Sequence, residues 1–550
     1  MNIRRISLIF LTVMVAFFSA AFDSSIARAS DVYIAQASSG ANSGADCADT
    51  HAYTWFNAAS NWGSNSGQIG PGTTVHLCGI ITSELTFLGS GTSGSPIELL
   101  FEKGAAIQIS PGADANGIIN LGSYSYILID GGANTPCGWS TATNTSEGAC
   151  NGQIEDMLYG SSGATCPGGS CTTQASAGNL IQGTGSNIEI RNLQIGPAYI
   201  HTTTGNGGND TGGAQCFQDT NGSNWNIHDS KLHDGEWCAV FAFTGGTMSN
   251  ITMTNNEMYN NSHMVALGGA NAGNLNGFTF SGNFTHDMYN WDTTSDADHA
   301  DAIHLFGATG TARSLLIYNN IFGGNTGGDI TGQIFSEAMG GTSNVVIFNN
   351  LFDMSTSPDL GAANHAWGPA QCDSGCYFLN NTIARQTTTG GNLDLGYSTY
   401  NMVATIENNV DQGGASLVNV AASSPSLTLN YNAYGPNGGD IWVWEGAFYT
   451  SLASWRSASG EGSGSFYNSS TLGLSASYKP NSGSLLIGAG VNICTQNPTF
   501  CADYPAIEKD MAGNSRPGSG NWDIGAYQDP ATGTGSSTPS PPTGLTAVVQ

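Results

Sequence analysis

The sequence predicts an all-β parallel solenoid, in which the chain winds into stacked coils of short strands. Three observations carry this prediction: a strand motif that recurs and ends in asparagine, a spacing of about 22 to 38 residues between successive copies, and a composition rich in glycine and poor in charge. The chain of 550 residues contains 76 glycines, and only 9% of its residues are charged. Charged helical faces with Glu and Lys four residues apart are almost absent, which disfavours a helical protein.

The recurring motif alternates apolar and polar residues and then runs into asparagine, as in LLIYNNIFG and VVIFNNLFD. Alternation gives a strand one apolar face that can be buried. Asparagine tolerates a left-handed backbone at a sharp corner, and amides stacked on successive coils can form a hydrogen-bonded ladder. Nine copies occupy residues 187–195, 224–232, 250–258, 277–285, 315–323, 345–353, 376–384, 405–413 and 427–435.

Between these copies lies a second strand that ends in glycine, as in AVFAFTGG, MVALGGA, DAIHLFG and IFSEAMGG. Two or three short strands with tight corners in each coil predict a parallel β-solenoid whose coils contact only their neighbours.

The repeats over about residues 118–434 resemble the right-handed parallel β-helix proteins of the pectin-lyase-like superfamily. DVYIAQASSGAN and GPGTTVHLCG resemble the opening strand and the first coil of that family. DMAGNSRPGSGNWDIGAYQ resembles a closing segment of secreted bacterial β-helix proteins, with Gln528 where Glu is usual. The resemblance implies a single-stranded right-handed β-helix with an N-terminal cap and a C-terminal capping region. It also implies a carbohydrate-active protein, although this fold hosts several reactions.

The chain divides into five predicted segments. Residues 1–29 resemble a secretory signal peptide, with Arg4 and Arg5 before an apolar stretch and small residues around Ala29; the alternative, a membrane anchor, needs a longer apolar span. Residues 30–117 form the N-terminal cap and first coils, 118–434 the β-helix core, and 435–528 the C-terminal coil and cap. Residues 529–550 are a Gly/Ser/Thr/Pro-rich linker with a tail resembling the start of a fibronectin type III domain. This tail is either vestigial or marks a fragment.

The formal net charge of −28 excludes the usual nucleic-acid binders, which need clustered Lys and Arg. An anionic polysaccharide would need a divalent cation as a bridge. We expect a secreted protein, extracellular or periplasmic, that is a monomer, is not an integral membrane protein and has a polysaccharide as its partner.

An even number of cysteines in an exported chain indicates disulfide bonds. A zinc site at Cys372 and Cys376 is the rival interpretation, but no second Cys/His pair stands nearby at ligand spacing. Proximity in the sequence predicts the pairs Cys47–Cys78, Cys137–Cys150, Cys166–Cys171, Cys216–Cys238, Cys372–Cys376 and Cys494–Cys501.

The densest group of ionisable side chains lies in SDADHADAIHLFG, residues 295–307. Alignment of the coils predicts that Ile303 and Leu305 face the core beside Val265 and Leu267, with Val240 and Ala242 two coils back. His304 then points outward, in the column of Phe335, and Asp301 lies beside His263.

Three interpretations of this group remain open: a catalytic site, a metal site or a solvated acidic turn. Crowded carboxylates shift one another's pKa values, so that a proton donor and an acceptor can coexist near neutral pH. The candidate catalytic residues are Asp298, His299, Asp301, His304 and Glu337. Hard oxygen ligands suit calcium, the one cofactor we expect, at Asp292, Asp296, Asp298 and Asp301. The candidate substrate-binding residues are His263, Trp291, His365 and Trp367.

Two reactions fit these candidates, namely glycoside hydrolysis by paired carboxylates and calcium-assisted polysaccharide elimination. The basic residues of the coils are scattered, unlike the paired Lys and Arg on which some lyases of this fold rely. A non-catalytic glycan-binding or structural β-helix protein is the alternative.

Overall fold

The computed structural model describes residues 31–109, 117–132, 136–156, 179–198, 215–288, 299–325, 330–337, 339–354, 365–385, 391–396, 400–413, 416–421, 425–436 and 441–529. The predicted signal peptide, Cys166, Cys171 and nearly all of the predicted tail therefore lie outside the described residues. So do Trp291, Asp292, Asp296 and Asp298.

Three long parallel sheets stack their strands along one axis, and each coil passes from sheet A to sheet B to sheet C. Crossovers between parallel strands of one sheet are almost always right-handed. The predicted right-handed parallel β-helix is therefore confirmed.

The strands of sheet A lie in this order: His51–Ala52, Asp31–Ala35, Thr74–Leu77, Ile97–Phe101, Ile127–Asp130, Ile188–Arg191, Trp225–His228, Thr247–Thr254, Asn274–Ser281, Thr311–Tyr318, Gly341–Phe348, Cys372–Leu379, Met402–Glu407 and Ser426–Asn430. Those of sheet B are Ile80–Ile81, Ala106–Ile109, Gly152–Asp156, Leu193–Ile195, Lys231–His233, Glu257–Tyr259, Phe284–His286, Ile321–Gly323, Leu351–Met354, Thr382–Arg385, Val410–Gln412, Ala433–Tyr434 and Phe466–Tyr467.

Sheet C contains Leu85–Thr86, Ile119–Gly122, Ile181–Gly183, Phe217–Thr220, Trp237–Thr244, His263–Ala270, Ala300–Phe306, Ile330–Ser336, His365–Pro369, Gly391–Leu395, Ser416–Val420, Ile441–Trp444 and Ala447–Tyr449, the last pairing antiparallel. A separate hairpin joins Trp139–Ser140 to Thr145–Ser146. The helices are Tyr53–Phe56, Leu452–Ser459, Ile493–Gln496 and Pro498–Asp503, with 3₁₀ turns at Ala59–Asn61 and Pro505–Glu508. No described helix is long and apolar enough to cross a membrane.

Each copy of the repeated motif contains two strands joined by a sharp corner between sheets A and B. Asn319 and Asn320 form one such corner, between Thr311–Tyr318 and Ile321–Gly323. Asn319 adopts a φ of 56°, in the left-handed region that asparagine tolerates better than most residues do. Asn320 is fully buried. The two roles expected of asparagine therefore fall to two neighbouring residues.

The interior of the solenoid is a continuous apolar core. Ile303, Leu305, Val265 and Leu267 all belong to it, and Val265 pairs with Ile303 while Leu267 pairs with Leu305, as the alignment predicts. One coil further back, however, their partners are Ala239 and Phe241 rather than Val240 and Ala242. The predicted alignment was therefore wrong by one residue at that coil.

The C-terminal segment runs back along the outer surfaces of sheets A and B. Ile507 and Trp522 pack on Phe348 of sheet A, and Met511 and Tyr527 pack beside Leu351 of sheet B. The predicted cap thus covers the outside of several coils.

Disulfide bonds join Cys47 to Cys78, Cys137 to Cys150, Cys216 to Cys238, Cys372 to Cys376 and Cys494 to Cys501. Each bond connects cysteines that are neighbours in the sequence. Several such bonds fit a protein of an oxidising compartment.

Candidate metal centre

Four ionisable side chains converge on the outer surface of sheet C. They are His263 from one coil and His299, Asp301 and His304 from the next, and one ligand atom of each lies within 4.8 Å of the others. His263 pairs with Asp301 across the sheet, and Ala266 pairs with His304. The register between coils therefore brings together residues that are 38 positions apart in the chain.

An irregularity in the strand pairing lets Asp301 and His304 share one surface, although residues three apart in a regular strand face opposite sides. His263 pairs with Asp301, and Val265 pairs with Ile303. The residues in the middle, Met264 and Ala302, do not pair with each other. Ala302 and Ile303 are both fully buried in the core, so two consecutive residues turn inward. Such irregularities re-aim side chains and occur next to active sites.

Asp301 lies at the middle of the cluster. Its Oδ2 is 3.1 Å from His299 Nε2, and 3.8 Å from both His263 Nε2 and His304 Nδ1. Its other oxygen, Oδ1, accepts a hydrogen bond of 2.8 Å from the backbone N–H of Gly332. This bond fixes the carboxylate so that Oδ2 faces the three imidazoles.

The cluster is closed off from solvent on most sides. The side chains of His263, Asp301 and His304 are exposed by only 2%, 0% and 5%, whereas that of His299 is exposed by 27%. Three aromatic rings form an apolar wall: the ring centroid of His304 lies 6.3 Å from that of Trp237, 5.0 Å from that of Phe306 and 5.6 Å from that of Phe335.

Burial determines the charge states of these side chains. It raises the pKa of Asp301 to about 7, against the opposing effect of His299. Burial and then the charge of His299 lower the pKa of His304 to about 3. Burial, with smaller contributions from His304 and His299, lowers the pKa of His263 well below its ordinary value. His263 and His304 are therefore neutral at neutral pH, which is the form of imidazole that binds metal ions.

Two of these imidazoles contain buried nitrogens without hydrogen bonds. His263 Nε2 and both ring nitrogens of His304 have no hydrogen-bond partner among the described residues. Leaving a buried polar group unsatisfied costs about 1–3 kcal/mol. Ser262 Oγ lies 3.4 Å from the other nitrogen of His263, an outer contact of the kind that orients metal-binding histidines. The four side chains together could hold a metal ion.

The donor atoms indicate which metal ions would fit. Three imidazole nitrogens and one carboxylate oxygen suit a first-row transition ion such as Zn²⁺, whose bonds to these atoms are about 2.0–2.2 Å long. Calcium prefers six to eight oxygens, and Asp301 is the only residue of the expected calcium set that the structure describes. The described donors thus differ in chemistry from the expected calcium site.

Glu337 lies at the open side of the cluster. Its Oε1 is 3.8 Å from His304 Nε2, and 49% of its side chain is exposed. Among the described residues, the carboxylates at the cluster are those of Asp301 and Glu337. Asp301 is fully buried, so Glu337 is the one that solvent can reach. Glu337 can therefore reach a bound molecule that Asp301 cannot contact directly.

The remaining predicted residues have different positions. His263, expected to bind substrate, is a donor of the cluster. His365 lies two coils beyond Asp301, with Nε2 3.4 Å from Asp394 Oδ2. Trp367 was expected to line a groove, and this expectation was wrong: its ring is 2% exposed and stacks on Phe378 at 5.4 Å within the core, because the strand turns it inward beside Ile334.

Sequence reasoning missed the aromatic wall, above all Trp237. Trp237 pairs with His263, which pairs with Asp301. Aligning WCAV, HMVA and DAIH at their first residues would have placed these three side chains in one column.

No family model and no curated protein matches this chain. Several solved structures resemble it distantly, including a pectate lyase, a lacto-N-biosidase and XylC. The pectate lyase Pel9A has 12% identity and a TM-score of 0.42, over 91% of this chain and 98% of its own. The GH136 lacto-N-biosidase from Eubacterium ramulus has 11% identity and a TM-score of 0.34, over 80% and 67%. XylC, solved with xylose, has 10% identity and a TM-score of 0.37, over 90% and 98%. What the cluster can do chemically is therefore inferred from its own side chains.

Proposed function

We propose that this chain is a secreted, metal-dependent polysaccharide lyase that acts on a glycan containing uronic acid. The observation that carries the proposal is the convergence of His263, His299, Asp301 and His304 beside the exposed carboxylate of Glu337. The cluster lies along the outer side of sheet C in a long solenoid, a shape that can accommodate an extended polymer. The resemblance of the repeats to β-helix enzymes supports the choice of polysaccharide.

Elimination fits the described residues better than hydrolysis does. A glycoside hydrolase generally places two carboxylates on either side of the scissile bond. Among the described residues of this cluster, Glu337 alone offers an exposed carboxylate, since Asp301 is fully enclosed. Elimination requires one base together with a positive charge near the substrate carboxylate.

In the proposed reaction, Glu337 removes the proton from the sugar carbon next to the uronate carboxylate. The electron pair of that C–H bond forms a double bond to the adjacent ring carbon. The bond between that adjacent carbon and the glycosidic oxygen breaks. The leaving oxygen takes a proton from water. A bound divalent ion would offset the substrate's negative charge and so make the reacting C–H group more acidic. This local positive charge also allows a chain of net charge −28 to bind an anionic polymer.

The first part of the test is metal binding. The purified protein is stripped with a chelator, incubated with Zn²⁺, Mn²⁺ or Ca²⁺, and analysed for bound metal. We expect one transition ion per chain in the wild type and in Glu337→Gln, and loss of that ion in His263→Ala. Equal metal content in His263→Ala and in the wild type would contradict the assigned centre.

The second part of the test is catalysis. Cleavage of a panel of uronate polysaccharides is monitored through the ultraviolet absorbance of the unsaturated product. We expect Glu337→Gln to lower kcat at least about 100-fold, the contribution of a general base. The matched control Glu445→Gln changes an exposed carboxylate in another coil. New reducing ends without unsaturation would identify a hydrolase instead. Binding without any cleavage would favour the passive glycan-binding protein.

A further inference from the structure

A concave site lies on sheet B, away from the metal centre. This cleft, of about 430 Å³, opens between the hairpin of Trp139–Ser140 and Thr145–Ser146, the outer surface of sheet B and the C-terminal segment. We call it the hairpin cleft. It shares no lining residue with the metal centre, which lies on sheet C. Its volume falls within the range of about 300–1,000 Å³ that is typical of ligand sites.

The floor of the cleft is aromatic and apolar. The rings of Trp139 and Phe284 are 4.4 Å apart, and Tyr527 is 7% exposed. These residues belong to an apolar cluster outside the solenoid core, together with Leu351 of sheet B. Trp and Tyr rings offer flat apolar surfaces with a polar atom at the edge.

The rim of the cleft is polar. Thr141, Thr143, Asn144 and Ser477 supply hydroxyl and amide groups, none of them charged. Uncharged donors and acceptors around an apolar floor match a ligand that has hydroxyl groups along its edges and C–H groups on its faces. Sugars have this distribution, whereas a purely apolar ligand would leave the rim groups without partners.

Two charged side chains also line the cleft, and each contacts a tyrosine. Tyr478 donates a hydrogen bond of 2.7 Å to Asp353 Oδ1, and Lys479 Nζ lies 5.3 Å from the centre of the Tyr527 ring. Both a carboxylate and an ammonium group thus line one site. The net charge of −28 disfavours an acidic sugar at a site where no bound cation offsets it.

Trp139 provides an independent indication of a ligand. It is 7% exposed, and its indole Nε1 is buried without a hydrogen-bond partner among the described residues. Buried tryptophan N–H groups usually have a partner. An acceptor such as a sugar hydroxyl oxygen, placed in the cleft that Trp139 lines, would supply one.

We propose that the hairpin cleft binds a short oligosaccharide of uncharged sugars. The aromatic floor contacts the apolar sugar faces, the rim groups exchange hydrogen bonds with the hydroxyls, and the indole N–H of Trp139 donates to one of them. This site holds a glycan segment without cleaving it. It does not depend on the proposed lyase activity, because metal removal or Glu337→Gln leaves its residues unchanged.

The experiment measures binding by titration calorimetry with short neutral gluco-, xylo-, manno- and galacto-oligosaccharides, and with uronate oligosaccharides for comparison. Ala476→Trp places a large ring at an exposed position of the cleft, while Ala453→Trp makes the same change on an exposed helix position away from it. Trp139→Phe removes the indole N–H and keeps an aromatic ring.

We expect a neutral oligosaccharide to bind the wild type and Ala453→Trp equally, to bind Ala476→Trp at least about tenfold more weakly, and to bind Trp139→Phe several-fold more weakly. Thermal unfolding is measured for every variant to verify that the fold is retained. The proposal is overturned if no neutral oligosaccharide binds the wild type, if uronate oligosaccharides bind the cleft in preference, or if Ala476→Trp binds as Ala453→Trp does. Loss of lyase activity with binding retained would affect only the proposed function.

Discussion

Single buried polar residues determine much of the chemistry of this chain. Asp301 and His304 are enclosed among other ionisable groups. Asp219, in contrast, lies fully buried in the strand Phe217–Thr220, with no charged partner among the residues that the structure describes. Asp219 Oδ1 accepts a hydrogen bond of 3.0 Å from the N–H of Gly222, and its Oδ2 has no hydrogen-bond partner among the described residues. Burial raises the pKa of Asp219 from 3.8 to about 8.

We predict that Asp219→Asn gains stability relative to the wild type as the pH rises. The folded state holds a proton on Asp219 up to about pH 8, whereas the unfolded chain releases it near pH 3.8. The wild type therefore loses stability between these pH values, by at most about 1.4 kcal/mol per pH unit, and the variant does not. Urea unfolding at several pH values measures the difference. Asp503→Asn, at an exposed position, is the control and should show no such trend.

A difference between Asp219→Asn and the wild type that does not change between about pH 4 and pH 8 would show that this carboxyl has a similar pKa in the folded and unfolded chains.

At the scale of the element, the corner between sheets A and B is the unit that repeats. Its first residue adopts a left-handed backbone, and its second residue contributes an amide to a ladder along the axis. The first positions include Asn192, Asn255, Asn319, Asn349, Asn380 and Asn408. The ladder contains Asn256, Asn283, Asn320, Asn350, Asn381, Asn409 and Asn432.

We predict that Asn320→Ala lowers the free energy of unfolding by about 2–4 kcal/mol. Asn320 donates to the carbonyl of Phe280 and to Asn350 Oδ1, and its own oxygen accepts from the backbone N–H of Asn283. The substitution removes these bonds and leaves the N–H of Asn283 buried without an acceptor. Denaturant unfolding measures the loss.

The matched control is Asn319→Gly, one residue earlier. Glycine adopts the left-handed backbone readily, so we expect this variant to lose much less stability than Asn320→Ala. Equal losses in the two variants would mean that the ladder contributes nothing beyond the geometry of the corner.

At the scale of the molecule, a buried arginine of the C-terminal segment bonds to the coil of Asn349. Arg516 donates hydrogen bonds to Asn349 Oδ1 at 2.9 Å and to the carbonyl of Gly525 at 3.0 Å. Asp510 accepts a bond of 2.8 Å from the backbone N–H of Gln528. The closing motif of the sequence therefore has a structural explanation, since its polar residues bond to one another and to a corner asparagine.

We predict that Arg516→Ala destabilises the chain by about 3–5 kcal/mol, because it removes a buried cation that lies near Asp510 and Asp523. Lys509→Ala, at an exposed position of the same segment, should change stability by less than about 0.5 kcal/mol. Thermal unfolding of both variants checks this prediction. Similar midpoints for the two would indicate that the segment is not anchored to the coils through Arg516.

Metal binding should also change the stability of the whole molecule. An ion that binds only the folded chain adds about 2.7 kcal/mol at a concentration of 100 times its Kd. We expect Zn²⁺ to raise the Tm of the wild type and not that of His263→Ala, with little effect of Ca²⁺ on either. A Tm of the wild type that is insensitive to every transition ion would count against the centre.

Part of this structure could be predicted from residues close together in the chain. The alternation in LLIYNNIFG and the asparagines that follow it predicted strands, corners and a ladder, because these depend on local backbone preference and on repetition. Ile303 and Leu305 were placed correctly beside Val265 and Leu267. One coil further back the alignment slipped by one residue, because it matched Val240 to Val265 where Ala239 is the partner.

By itself, the sequence determined that this chain is a solenoid of parallel strands with asparagine corners, because every coil repeats the same short-range signals. The coil alignment also placed Asp301 beside His263. Only the tertiary structure decided that His299 and His304 join them around one point and that Trp367 lies inside. Those outcomes depend on the register between coils and on one irregularity in sheet C. Shifting a strand by a single residue exchanges its buried and exposed surfaces, so no local pattern could have placed these four donors around one point.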